Sequence, residues 1–161
     1  MRAAPCFAAL FGLLATSAGY PHPAPNSLLR LEFRQDGVNA EYWLPVSELA
    51  HARAAEPSDP DFPTYLLRHL AAETHAGKPW RVTVQAVRDA TYLDHAYLVA
   101  ELRLVPPAST PVRELVLIED AVTHEVRNHV VYVVEKHGVD SQLLGALQYP
   151  ARRLEILAPV R

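Results

Sequence analysis

The chain has 161 residues, of which half are hydrophobic and a fifth are charged, as expected for one globular domain with a single core. Its net charge of -3 and its lack of a Lys/Arg cluster argue against nucleic acid as a partner, because phosphate binding requires a basic patch.

The amino terminus has the pattern of an export signal. Arg2 supplies a positive charge, Ala3 to Ala15 is apolar, and Thr16-Ser17-Ala18 offers small residues for cleavage. The apolar run is shorter than the roughly 20 residues that a membrane-spanning helix needs. We therefore predict a signal peptide over residues 1–18 and a periplasmic or cell-surface location after its removal.

The only cysteine, Cys6, lies inside this predicted signal peptide. The mature chain would then form no disulfide, although its compartment is oxidising. Any metal site in it must use nitrogen and oxygen ligands.

A proline-rich lead-in follows over residues 19–26, where three prolines favour extended geometry. Residues 27–35 and 38–44 then alternate apolar with polar side chains, the period of half-buried strands. Asp36-Gly37 between them is a tight-turn signal, so we predict a β-hairpin.

A helical insertion is predicted over residues 46–77. Pro45 ends the second strand, and Ser47 is suited to capping a short helix over Glu48–Arg53. Asp61 is suited to capping a second helix, which the helical spacing of apolar residues extends to Gly77.

The remaining chain again has strand periodicity. A second hairpin is predicted from Trp80 to Leu104, followed by strands at Val112–Ile118, Val130–Val134 and Leu154–Leu157. The Val130 strand is apolar on both faces, which favours a central position. The total of about seven strands predicts a mainly β, immunoglobulin-like antiparallel sandwich over residues 27–161, with the helical insertion.

Chemically active side chains concentrate in the polar loop after Ile118. Imidazole and carboxylate groups suit nickel, copper, cobalt or zinc, and four such side chains fall within ten positions: Asp120, His124, Glu125 and His129. The two histidines are five positions apart, whereas the zinc-protease pattern needs histidines four positions apart. A zinc-protease function is therefore excluded. A purely structural loop uses the same residue types in turns and caps.

The other histidines are predicted to be solvated. These are His51, His69, His75 and His137. His69 is expected to pair with Glu73, four residues later, on an exposed helix surface.

The sequence predicts a non-enzymatic protein. It has no Gly-x-Ser-x-Gly elbow and no glycine-rich phosphate loop. A hydrolase that uses Asp120, His124 or Glu125 would need a deep pocket lined by these groups.

Three segments together resemble the extracytoplasmic amino-terminal region of HupE/UreJ-type membrane proteins, which are related to nickel and cobalt permeases. They are residues 22–27 (HPAPNS), 120–129 (DAVTHEVRNH) and 144–150 (LGALQYP). The resemblance implies metal contact at His22, His124 and His129. The membrane helices of that family have no counterpart in these residues, so transport itself is not implied.

Two functions follow as hypotheses. The first is an exported module that binds a divalent transition metal as an accessory to membrane metal transport, with a permease as partner. The second is a metal-free structural or interaction module that docks a membrane protein through an exposed face around Trp43.

Overall fold

The computed structural model describes residues 25–56 and 60–157. The predicted signal peptide, most of the lead-in and the predicted ligand His22 lie outside the described residues.

The described chain forms nine strands and two helices. In chain order they are β1 Ser27–Arg34, β2 Gly37–Pro45, α1 Val46–Ala54, α2 Phe62–His69, β3 Leu70–Glu73, β4 Arg81–Tyr92, β5 His95–Val105, β6 Glu114–Glu119, β7 Val131–His137, β8 Asp140–Leu147 and β9 Arg153–Leu157.

The strands form two sheets around one core. The larger sheet has the order β4-β5-β2-β1-β7-β8, and the smaller has the order β3-β6-β9. Leu31 of β1 and Leu117 of β6 belong to the same buried apolar cluster, to which both sheets contribute. Burial of these apolar faces is the main stabilising contribution. The prediction of a mainly β sandwich is confirmed.

The first hairpin has the predicted turn and faces. Arg34 pairs with Gly37 across the turn, and Phe33 pairs with Val38. The alternating residues of β2 from Val38 to Leu44 point into the core, as their apolar character predicts.

The strand pairing differs from the prediction in one respect. β1 pairs with β7 in parallel, with Ser27 opposite Val131, so the sandwich is not wholly antiparallel. Alternation fixes which face a strand buries, but it carries no information about the direction of a distant partner.

Two strands were missed, which explains nine rather than about seven. β8 lies at a sheet edge and is mostly exposed, so it lacks an apolar alternation. β3 lies within the segment predicted as helix: α2 ends at His69 rather than at Gly77, and Leu70–Glu73 pairs with β6. Leu66 and Leu70 fit either period, and the hydrogen bonds offered by β6 decide in favour of a strand.

The helix starts are partly as predicted. Asp61 caps α2 by accepting a hydrogen bond from the Thr64 backbone N–H at 2.9 Å. The predicted cap at Ser47 is wrong, because α1 begins at Val46 after Pro45 and has no side-chain cap.

The second hairpin turns at Leu93 and Asp94, which both have positive φ, 47° and 63°. β7 is an inner strand, as predicted, but its apolar side chains are not buried on both faces. Its residues alternate, and Tyr132 is 40% exposed. No helix in the described ranges is long and apolar enough to cross a membrane.

Candidate metal centre

Strand register brings two distant segments together beside the polar loop. Leu70 of β3 pairs with Glu119 of β6, so the residues just outside this pair, His69 and Asp120, are neighbours. The Asp120 N–H donates to the His69 carbonyl at 3.0 Å. One turn later, the His124 N–H donates to the Asp120 carbonyl at 3.2 Å, which returns His124 to the same place.

Two imidazoles and a carboxylate converge here. The rings of His69 and His124 stack with centroids 4.5 Å apart. Glu56, just after α1, places Oε1 3.1 Å from His69 Nε2 and 3.9 Å from His124 Nε2. One ligand atom from each of these residues lies within 4.8 Å of the other two. We call these three candidate ligand residues, Glu56, His69 and His124, the metal cluster.

Asp120 orients both rings from behind. Its Oδ1 lies 2.8 Å from His69 Nδ1, and its backbone carbonyl accepts from His124 Nδ1–H at 2.7 Å. Because a carbonyl oxygen only accepts, the neutral ring of His124 carries its proton on Nδ1 and leaves the Nε2 lone pair free. The carboxylate of Asp120 favours the same tautomer at His69.

Arginines compensate the two carboxylates on their other oxygens. Arg152 lies 2.7 Å from Asp120 Oδ2, and Arg68 lies 3.8 Å from Glu56 Oε2. Each carboxylate therefore has one oxygen directed at a histidine and one at a guanidinium group. The cluster side chains are 13–15% exposed, which leaves them accessible to an ion.

Tyr65 packs the cluster against α2. Its ring centroid is 4.6 Å from that of His69, and its hydroxyl donates to the carbonyl of Ala121 in the polar loop. Burial raises the pKa of Tyr65, so the hydroxyl keeps its proton and this hydrogen bond.

The predicted ligands have different positions in the structure. His124 belongs to the metal cluster, and Asp120 lies directly behind it. Glu125 is exposed. Among the described residues, neither Glu125 nor His129 brings a ligand atom close to those of the metal cluster.

His129 lies in the core and has partners of its own. It is 2% exposed, and its Nε2 accepts from the Ser27 N–H at 3.2 Å and lies 2.8 Å from the Ser27 hydroxyl. Burial lowers the pKa of His129 to about 4, so the ring is neutral near pH 7. Its Nδ1 has no hydrogen-bond partner among the described residues.

A second buried group lies at the start of the loop. Glu119 is fully buried, and its Oε1 accepts from the Tyr42 hydroxyl and from the Ala121 N–H. Burial raises the pKa of Glu119 to about 7, against the opposing effect of these two hydrogen bonds. Its Oε2 has no partner in the described part of the chain.

Sequence reasoning missed Glu56 and His69. The predicted solvated state of His69 and its pairing with Glu73 are wrong: His69 is partly buried between Glu56 and Asp120, and Glu73 pairs with Arg153. His69 and Asp120 are 51 positions apart, and only the β3–β6 pairing joins them.

In the comparison with known proteins, no protein-family model and no curated protein matched the chain. The resemblance to HupE/UreJ-type proteins stays a prediction.

Proposed function

We propose that this protein is a non-enzymatic, exported domain that binds one divalent transition metal through Glu56, His69 and His124. The observation that carries the proposal is the convergence of two imidazole nitrogens and one carboxylate oxygen. Both histidines also contact oxygens of Asp120 through Nδ1, the arrangement that orients imidazole ligands in metal proteins.

The ligand chemistry suits a borderline metal. Nitrogen and carboxylate ligands at about 2.0–2.2 Å in tetrahedral geometry lie roughly 3.4 Å from one another. The two distances from Glu56 Oε1 to the histidines, 3.1 and 3.9 Å, straddle that value. The rings are stacked at 16° to each other, so binding requires them to rotate until both Nε2 lone pairs meet the ion. Zinc, nickel, copper and cobalt fit this set, whereas calcium and magnesium prefer oxygen alone.

The cellular role rests on the amino terminus and on the family resemblance. An export signal would place the domain outside the cytoplasm, next to membrane permeases. Three protein ligands leave a coordination position for water or an incoming ligand, which suits buffering or delivery of an ion. We propose an accessory role in membrane metal transport with a permease as partner.

Titration of the untagged protein with zinc, nickel, copper and cobalt tests the site. We expect one equivalent of at least one metal to bind and to raise the free energy of unfolding by about 2.7 kcal/mol at a hundredfold excess over Kd. For a chain of this length, that corresponds to a rise in Tm of roughly 5–10 °C. Calorimetry and thermal unfolding give the two readouts.

The variant with both His69→Gln and His124→Gln removes two of the three ligands. We expect it to fold and to lose the stoichiometric metal response. The variants His129→Gln and Glu125→Gln should keep it, since neither residue is in the metal cluster. Absence of heat and of a Tm shift with all four metals, in a folded wild-type protein, would refute the proposal.

A separate variant tests the orienting role of Asp120. Asp120→Asn replaces a charged acceptor behind His69 with a neutral amide, and we expect metal affinity to fall about 10- to 100-fold. Glu125→Gln is the matched control, because it removes an exposed carboxylate from the same loop. Equal affinity of the two variants would assign Asp120 no role in orienting the ligands.

The alternative proposal is a metal-free module, and the hydrogen bonds of His69 favour it. Carboxylates of Asp120 and Glu56 already lie 2.8 and 3.1 Å from the two ring nitrogens. In this proposal the cluster fastens the loop to α2, and the domain docks a membrane protein. The double variant then lowers Tm in metal-free buffer, and metals leave the wild-type Tm unchanged.

A further inference from the structure

The larger sheet has a candidate binding surface that is chemically different from the metal cluster. Alternation in β1 and β2 turns Arg30, Glu41 and Trp43 away from the core, while Tyr42 and Leu44 point inward. We call the side away from the core the outer face.

Aromatic side chains surround a cavity of about 210 Å³ on the outer face. Its walls include Trp43, Tyr92, Tyr97 and Tyr132, which come from four different strands. Tyr92 is 59% exposed and Tyr132 is 40% exposed, so their rings are available to a ligand. We call this cavity the aromatic pocket.

A larger groove of about 550 Å³, the polar trough, lies on the same face, and Arg30 lines both cavities. Six charged side chains line the trough: Arg30, Arg103, Lys136, Glu32, Glu41 and Glu101. Three are positive and three are negative, so the formal charge of the lining is zero. An anionic or a cationic ligand therefore gains no net attraction there.

Several of the polar groups are held in place by ion pairs and hydrogen bonds. Glu41 lies 3.6 Å from both Arg30 and Arg88, and the Arg103 guanidinium donates to Asn39 at 2.9 Å. Arg30 and Arg88 also lie over the Trp43 ring, at 5.1 and 5.3 Å from its centroid. Such preorganised donors and acceptors lower the side-chain entropy that the protein loses when a ligand binds.

We propose that the outer face binds a neutral oligosaccharide. A sugar ring has an apolar C–H face, which packs on an aromatic ring, and a belt of hydroxyls that both donate and accept hydrogen bonds. Tyr92 and Tyr132 provide the rings, and the carboxylates, guanidinium groups and amide of the trough provide the partners. A purely apolar ligand would leave these partners unpaired, and an acidic polymer would gain no net attraction from a lining that carries three charges of each sign.

The full-length protein can be titrated with neutral hexasaccharides of glucose, mannose and N-acetylglucosamine, with polygalacturonate as the charged comparison and a proline-rich decapeptide as the peptide comparison. We expect at least one neutral hexasaccharide to bind and polygalacturonate not to bind. Calorimetry gives the affinity, and NMR chemical shifts locate the contact.

Tyr92→Ala and Tyr132→Ala should each weaken sugar binding by about tenfold, through loss of a stacking partner. Tyr149→Ala is the matched control: Tyr149 is also 40% exposed, but it packs on Arg127 and lines neither cavity. All three variants should keep the wild-type Tm and metal response, which separates this test from that of the metal cluster.

Three outcomes would overturn the proposal. The first is no binding of any neutral hexasaccharide, and the second is sugar binding that Tyr92→Ala and Tyr132→Ala leave unchanged. The third is tighter binding of the peptide than of any sugar, with loss in the same two variants, which would assign the outer face to a protein partner.

Discussion

Glu119→Gln should make the free energy of unfolding rise by about 3 kcal/mol between pH 4 and pH 6.5, whereas the wild-type curve should be nearly flat from pH 4.5 to pH 6.5. The reason is that two buried groups have opposite effects on stability in this range. Glutamine keeps the size of a protonated glutamate and still accepts from Tyr42.

The sign follows from proton binding in each state. Glu119 has a raised pKa, so between about 4.5 and 7 the folded protein binds more protons than the unfolded chain, and stability falls as pH rises. His129 has a lowered pKa, so between about 4 and 6.5 the unfolded chain binds more protons, and stability increases with pH. Their slopes cancel where the ranges overlap.

Chemical denaturation at intervals of half a pH unit measures this. His129→Gln should give the reverse of Glu119→Gln, a fall of about 3 kcal/mol from pH 4.5 to pH 7. Glu125→Gln, which removes an exposed carboxyl from the same loop, should leave the wild-type curve unchanged. Parallel curves for wild type and Glu119→Gln would show that Glu119 titrates normally.

Gly37→Ala should destabilise the protein by about 3 kcal/mol. Gly37 has φ of 152° in the first hairpin turn, where L-residues are strained. A Cβ there would overlap the Leu104 carbonyl oxygen and lie 3.1 Å from Arg103 Nη2. The carbonyl belongs to the β2–β5 ladder, so it cannot move without loss of strand pairing.

Gly138→Ala is the control for backbone strain alone. Gly138 has φ of 62°, and an added Cβ would have no atom within 4 Å, so we expect a loss of only about 1–2 kcal/mol. Urea unfolding of both variants separates the steric clash from the strain. Equal losses would mean that the Leu104 backbone yields.

The sequence predicted those parts of the fold that depend on local patterns. The alternation on either side of Asp36-Gly37 was enough to predict the first hairpin, and Asp61 was enough to place the start of α2. The end of α2 was not predictable, because Leu70 and its neighbours satisfy a helix until β6 offers a strand partner. The parallel pairing of β1 with β7 joins segments about a hundred residues apart and has no local sign.

The same distinction applies to the site. The density of polar residues after Ile118 was enough to select Asp120 and His124 as candidate site residues. Glu56 and His69 come from ordinary helix ends, and their sequence context gives no reason to choose them over His51 or His75. Only the assembled sandwich identifies them.

The hydrogen bond from Tyr42 to Glu119 joins the two sheets inside the core. Apolar contacts tolerate small sliding movements of one layer over the other, whereas a buried directional bond fixes their alignment at that point. Asp120 follows Glu119 in the chain and contacts the rings of His69 and His124. The alignment of the two sheets at Glu119 therefore helps to set the positions of these two rings. A conservative change at Tyr42, a residue outside the metal cluster, would therefore alter the relative positions of His69 and His124.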